Sequence, residues 1–354
     1  MKKIVTTLLW VTCALLCEAN SPYISKVFDF LPAPGQFVNQ LPEYEVGDSK
    51  SEIIEKVEEQ ICGDKNPGMI SLGSYGGYVV FGFDHPVVNL RGEYDFKIYG
   101  NAFKANNASS GGSSEPGIVM VSCDSNENGV PDDDWYELAG SEYYKSETIH
   151  GYKITYYKPD ADRDVNADPD PEYKYIIDRT YVGWDDNIGE SGYVMRNAYH
   201  KQSYWPEWIG EDEILFEGTR LKANGYDQSG NGSYFVQNFY DWGYADNQPN
   251  DTDLGFKIDW AVDEDGNPVE LDCIDFIKVY CAVNQYCGWI GECSTEICGA
   301  EDLHPDAAMS ALPDVEIDSQ SNVEYYNLQG LRVLDPTDGI YIVKQGNQIF
   351  KIKK

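Results

Sequence analysis

Positive charge is scarce in this chain: 26 Lys and Arg stand against 60 Asp and Glu, a formal net charge of −34 over 354 residues. A field of that sign repels phosphates and anionic lipid surfaces, so no nucleic-acid partner is expected. Histidine is scarcer still, confined to His85, His150, His200 and His304, each of which reads as an ordinary loop or surface residue. No HExxH, GxSxG, P-loop or GxGxxG pattern occurs. Nothing in the motifs therefore favours zinc-protease, serine-hydrolase, nucleotide or dinucleotide chemistry. Past the first residues, no run approaches the ~18 apolar residues needed to cross a bilayer, and no transmembrane span is expected in the mature chain.

The first residues are the exception. Lys2 and Lys3 form a charged start, Ile4 to Leu16 an apolar stretch, and Cys17-Glu18-Ala19 a small-residue site with cleavage after Ala19. This is the pattern of a secretory signal over 1–19. A lipoprotein reading would use Cys17, but Leu16 is a poor residue before it. Losing Cys13 and Cys17 leaves Cys62, Cys123, Cys273, Cys281, Cys287, Cys293 and Cys298. Export permits disulfides. The spacing from 281 to 298 is too wide for a CxxC zinc knuckle, so local disulfide staples of that loop are expected, with at least one thiol left over.

What is present is β-forming. The chain is 42% hydrophobic and 14% aromatic, enough to build a core. One helix is predicted, opened by a Ser49/Glu52 capping box and carrying Ile53, Ile54, Val57 and Ile61 as its apolar stripe. Strand patterns follow at Tyr78 to Phe83, Tyr94 to Tyr99, Ile154 to Tyr157, Tyr173 to Ile177, Tyr234 to Val236, Phe256 to Trp260 and Ile274 to Tyr280. Asp265-Gly266 marks a hairpin turn. Many short strands between Gly, Asn and Asp predict an antiparallel β-sandwich or jelly roll over 22–304 with one short N-terminal helix. The small, acidic, Pro-containing stretch 305–321 reads as a linker, and 322–354 as a small C-terminal β module.

Two features carry chemistry. Asp124, Asn126, Asn128, Val130 and Asp132 place oxygens at alternate positions around Gly129, the spacing with which a loop wraps calcium. Position 12 is Trp135, so the last ligand must come from Asp133, Asp134 or Glu137, with Asp134 taken into the set. The flanks, 117 to 122 and 135 to 138, read as strands. The loop resembles the calcium loops of dockerin or thrombospondin type-3 repeats, set on a β-hairpin; the alternative is a polar turn that binds nothing. Second, Trp184, Tyr204, Trp205 and Trp208 crowd one region and Tyr240, Trp242 and Tyr244 another. Such rings suit sugars or other flat-faced ligands, the alternative being that they seal the core. The acid run Asp160, Asp162, Asp164, Asp168 and Asp170 is broken by prolines and reads as a solvated loop. Glu207, Glu211 and Asp212 beside Trp205 and Trp208 are where a glycosidase pair would first be sought.

The end of the chain, Tyr326-Asn327-Leu328-Gln329-Gly330-Leu331-Arg332-Val333, then Gly339-Ile340-Tyr341-Ile342-Val343 and Lys351-Ile352-Lys353, resembles the type A C-terminal sorting domain of type IX secretion. The resemblance implies export, contact with that secretion machinery, and surface attachment or release. The large domain is similar to a family of bacterial cell-surface proteins often labelled PKD-containing or uncharacterised. The segments that carry this are 76–83, 95–103, Glu115-Pro116-Gly117-Ile118-Val119, 135–141, Asp241-Trp242-Gly243-Tyr244-Ala245-Asp246-Asn247 and 294–304. The core is similar to discoidin-like ligand-binding sandwiches; no segment shows a compact Ig-like repeat. The expectation is a secreted, surface-exposed, calcium-stabilised binding protein for a glycan or small nutrient, a corrinoid among the candidates. The alternatives are a structural or adhesive surface protein and a glycoside hydrolase.

Overall fold

Strand residues whose side chains alternate between two apolar surroundings build the centre of this protein. The computed structural model describes residues 20–105, 111–307, 323–327, 332–333, 336, 340–345 and 348–353; the expected signal 1–19 and positions 308–321 of the expected linker lie outside them. A six-stranded antiparallel sheet has the spatial order Lys26–Leu31, Tyr78–Gly82, Phe276–Cys281, Gly117–Ser122, Trp135–Leu138 and Ala261–Val262. On one face Val79, Phe81, Val119, Val121, Ile277 and Val279 are buried in the main core. Helix Lys50–Ile61 closes that core with Ile53, Val57 and Ile61, all fully buried. A 12-residue helix is marginal alone. Burying those three side chains is worth about 1.5–3 kcal/mol each, which is what holds it. Its start is fixed by the predicted capping box: Ser49 accepts from the Glu52 amide while Glu52 accepts from the Ser49 amide at 2.8 Å.

On the other side lies a four-stranded antiparallel sheet ordered Ser191–Asn197, Ile176–Asp186, Ile149–Tyr157 and Glu213–Arg220. Tyr152, Ile154, Tyr156 and Phe216 fill its inner surface, and Tyr78 of the first sheet packs against them. The architecture is thus mainly β and antiparallel, with one helix. The C-terminal β module also forms, as a four-stranded antiparallel sheet of Arg332–Val333, Val323–Tyr326, Ile340–Gln345 and Gln348–Lys353.

Two expectations are corrected. Phe256 to Trp260 is not a strand: only Phe256 bridges Phe96, and Ile258–Trp260 is a short 3-10 turn. The buried Asp95 carboxylate takes the Ile258 amide at 2.7 Å, capturing a donor that a ladder would otherwise use. The disulfide staples are absent as well. All of Cys62, Cys123, Cys273, Cys281, Cys287, Cys293 and Cys298 are free thiols, and the last four in the 281–298 region pack as small buried side chains. Burial pushes the Cys62, Cys287 and Cys298 thiols up to about 12 and Cys123 to about 11. They are therefore protonated and poor nucleophiles. Native protein at pH 8 is expected to resist iodoacetamide until denatured, and dithiothreitol is expected to leave its melting temperature unchanged. A disulfide detected by intact mass before and after reduction would overturn this assignment.

Candidate metal centre

Three carboxylates that are far apart in the chain meet inside the protein. Glu115 lies just before strand Gly117–Ser122, Glu296 opens strand Glu296–Ile297, and Asp246 sits on a turn with φ +48°. The Gly117 and Ala245 backbones exchange hydrogen bonds, each of 2.9 Å, and the Glu115 amide donates to the Asp246 carbonyl at 3.0 Å. These bonds clamp the Asp246 turn against Glu115. Each carboxylate contributes an oxygen within 4.8 Å of the others. All three residues are buried.

Backbone and hydroxyl donors orient the set. Asp246 Oδ1 accepts from the amides of Asn101 (2.7 Å) and Ala102 (2.9 Å), and Oδ2 accepts from the Glu296 amide at 3.0 Å. Glycine at position 100 is needed for this approach, because a Cβ there would stand 2.3 Å from Asp246 Oδ1. Glu115 Oε1 accepts from the Ser294 amide (3.0 Å), and Glu296 Oε1 from the Ser294 hydroxyl (2.9 Å). Glu296 Oε2 and the amide nitrogen of neighbouring Gln237 are buried without a partner of ordinary hydrogen-bond geometry, and the Glu115 and Glu296 carboxyls lie close enough to share a proton. No Lys, Arg or His forms an ion pair with the trio among the described residues.

Burial raises every member. Glu115 is pushed up to about 7, and Asp246 and Glu296 go well above the carboxylate range, first by loss of water and then by the Glu115 charge beside them. Three ionised carboxylates cannot share a dry site without a counter-charge. The site must therefore hold protons or a cation. Its donor set is oxygen only, which suits a hard divalent ion such as calcium, magnesium or manganese and not zinc or copper.

The Asp124 loop is organised differently. Asp124 accepts from the amides of Asn128 (2.9 Å) and Gly129 (2.8 Å), and Asn128 Oδ1 from the Val130 amide at 2.7 Å. Asp132 Oδ1 accepts from Asn126 at 3.0 Å, and its Oδ2 from Asn128 at 3.1 Å. The structure thus gathers Asp124, Asn126, Asn128 and Asp132 about one turn, in which all but Asp124 are exposed, as are Val130 and Asp134. The Asp124 amide ties this turn to Asp275 at 2.7 Å.

The aromatic residues singled out from sequence do not make one surface. Tyr204 and Trp205 are 0% and 1% exposed and sit in the second core, so they seal the sandwich and offer nothing to a ligand. Tyr204 takes the Asn197 amide and donates to the His200 carbonyl, tying down the loop that follows strand Ser191–Asn197. Tyr244 is also buried, its hydroxyl accepting from the Glu142 amide, with the half-buried Tyr240 edge-on at 5.5 Å. Trp242 packs on Trp260 at 4.6 Å and keeps 36% of its surface. Trp208 stacks on Phe30 beside a groove of about 470 Å³, and Trp184 lines a separate cavity of about 160 Å³. Loop-rich ends of a sandwich need large side chains to close them, and that demand has claimed most of the set.

Sequence reading missed the trio. Each acid lies in a segment that carries the cell-surface resemblance, yet 179 residues separate Ser294 from its partner Glu115, and 50 separate Glu296 from Asp246. The one local clue was an acid inside an otherwise buried run, Ser294-Thr295-Glu296-Ile297. No protein-family model matches the chain, and no curated protein matches it.

Proposed function

We propose that this chain is an exported, surface-exposed binding protein for a glycan or small nutrient, a corrinoid among the candidates, whose fold is held by divalent cations. The observation that carries the cation in this reading is the trio Glu115, Asp246 and Glu296: three buried carboxylates in mutual reach, with no cationic side chain paired to them among the described residues. A cation there would join the segments after residues 100, 115, 246 and 296, a structural role and not a catalytic one. The Asp124 turn is a second, exposed calcium site on this reading. The 1–19 signal and the 322–354 module supply export and contact with the secretion machinery, with 22–304 as the binding domain. Extracellular calcium at high concentration suits sites built this way.

Metal analysis of the mature protein tests it. About one equivalent of a divalent ion should survive dialysis, with calcium titrating a further, weaker site. Asp124→Ala should remove only the weaker site. If neither ion is present and calcium produces no change in the melting temperature, the reading falls.

A further inference from the structure

The two sheets part at one end, and the opening is a cleft of about 530 Å³, inside the size range of small-molecule sites. Its floor comes from one transverse row of the six-stranded sheet, in which Lys278 pairs with Met120 and Met120 with Glu137. Its wall comes from strands Ile149–Tyr157 and Glu213–Arg220, which contribute His150, Glu217 and Thr219. Between Ile149 and Tyr152 the pairing with Glu213–Arg220 slips by one residue, and Gly151 takes φ +63°. That is a β-bulge, a device that re-aims a side chain, and here the residue re-aimed is His150.

A chain of hydrogen bonds crosses the cleft. Thr219 Oγ1 lies 2.6 Å from Glu137 Oε2 and 3.2 Å from His150 Nδ1, and His150 Nε2 lies 3.1 Å from the Tyr143 carbonyl oxygen. The carbonyl only accepts, so Nε2 carries a proton. The Thr219 hydroxyl donates to Glu137, and Glu137, Thr219 and His150 stand in one hydrogen-bonded line. Burial, opposed by the Thr219 hydrogen bond, pushes Glu137 up to about 7. The carboxyl on the floor can present itself as acceptor or donor.

The rest of the lining selects among ligands. Glu137, Glu217, Asp263 and Glu264 outnumber Lys278, which disfavours phosphates and carboxylates. Three of these four carboxylates already have partners, which leaves little to draw an amine. Glu217 holds Lys153 at 2.8 Å, Asp263 Oδ1 accepts from the amides of Asp265 (3.0 Å) and Asn267 (2.8 Å), and Glu137 has Thr219. Half-buried Trp135 and buried Tyr143 add aromatic surface. Hydroxyl groups both donate and accept, and sugar rings stack on indole faces.

We infer that this inter-sheet cleft is a binding site for a neutral carbohydrate, stacked on Trp135 and hydrogen-bonded at Glu137 and Glu217. The inference rests on the reading of the chain as a binding protein and supplies the place and chemical class of its ligand. The mature protein in calcium buffer is screened against immobilised neutral, acidic and amino-sugar oligosaccharides and, separately, cyanocobalamin. Neutral glycans are expected to bind, with Trp135→Ala and Glu217→Ala each weakening them at least tenfold at an unchanged melting temperature. Trp289→Ala, at an exposed aromatic outside the cleft, leaves binding as it was. Glu217 is exposed, so its variant remains informative if Trp135→Ala fails to fold. Binding restricted to acidic or amino sugars overturns the ligand class. Neutral-glycan binding indifferent to both cleft variants overturns the location. Cyanocobalamin binding without glycan binding sinks this inference while sparing the binding-protein reading, and no binding to any probe sinks both.

Discussion

Chelation of divalent cations is expected to lower the melting temperature of the mature protein, and to lower it more at pH 8 than at pH 5. In the cation-free protein the trio carboxyls hold protons that the unfolded chain has already released. Glu115 rises from an ordinary 4.5 to about 7, and Asp246 and Glu296 rise further, through burial and then mutual repulsion. The sign follows from proton counts. Where the folded state binds more protons than the unfolded one, stability falls as pH rises. For Glu115 the full stability is present below about 4.5 and is lost up to about 7, a cost of ~3 kcal/mol; the other two extend the loss to higher pH. A cation competes with those protons and binds the ionised set best, so its contribution grows over the same window. At a free concentration a thousandfold above its dissociation constant it adds about 4 kcal/mol, roughly 5–10 °C for a domain of this size. Glu296→Gln removes one negative charge while keeping the shape and one carbonyl oxygen. It should flatten the pH dependence and abolish most of the chelator effect, whereas Asp124→Ala should retain both. Calorimetry at matched ionic strength decides it: coincident melting curves with and without chelator at pH 8 would contradict the trio as a cation site.

The second large effect lies at Trp205. Replacing it by alanine is expected to cost about 3–5 kcal/mol, the range for removing a buried aromatic side chain from a packed core. The side chain is 1% exposed and packs in the cluster with Tyr75, Tyr156 and Phe216, while its backbone amide and carbonyl are held by Ser203 and Asn39. Trp242→Ala, at a side chain 36% exposed, should cost under about 1 kcal/mol. Urea unfolding separates the two cases through a lower midpoint at constant slope. A Trp205→Ala protein as stable as the parent would return that residue to the candidates for ligand contact.

These results divide the sequence reading along a physical line. The helix was legible because its cap and its stripe are local: Ser49 meets Glu52 three residues on, and Ile53, Val57 and Ile61 share one face. The central strands were legible for the same reason, since Val79/Phe81 and Ile277/Val279 alternate at period two. Phe256 to Trp260 shows the limit. It alternates as well as any strand, but a side chain 163 residues away captures its Ile258 amide. The aromatic clusters show another: crowding in sequence marks Trp184, Tyr204, Trp205 and Trp208 as neighbours, but not which of them face inward.

Composition and local periodicity by themselves determined the β class, the capped helix, the acidic field that disfavours polyanions, and the turn-forming oxygens from Asp124 to Asp132. Each depends on interactions spanning a few residues or on a sum over the chain. Only the tertiary structure decided that Glu115, Asp246 and Glu296 converge, that the thiols stay single, and that Glu137 and His150 face one another through Thr219 in a cleft. Those facts depend on how distant segments are brought together: Thr219, which joins Glu137 to His150, lies 82 residues from one and 69 from the other.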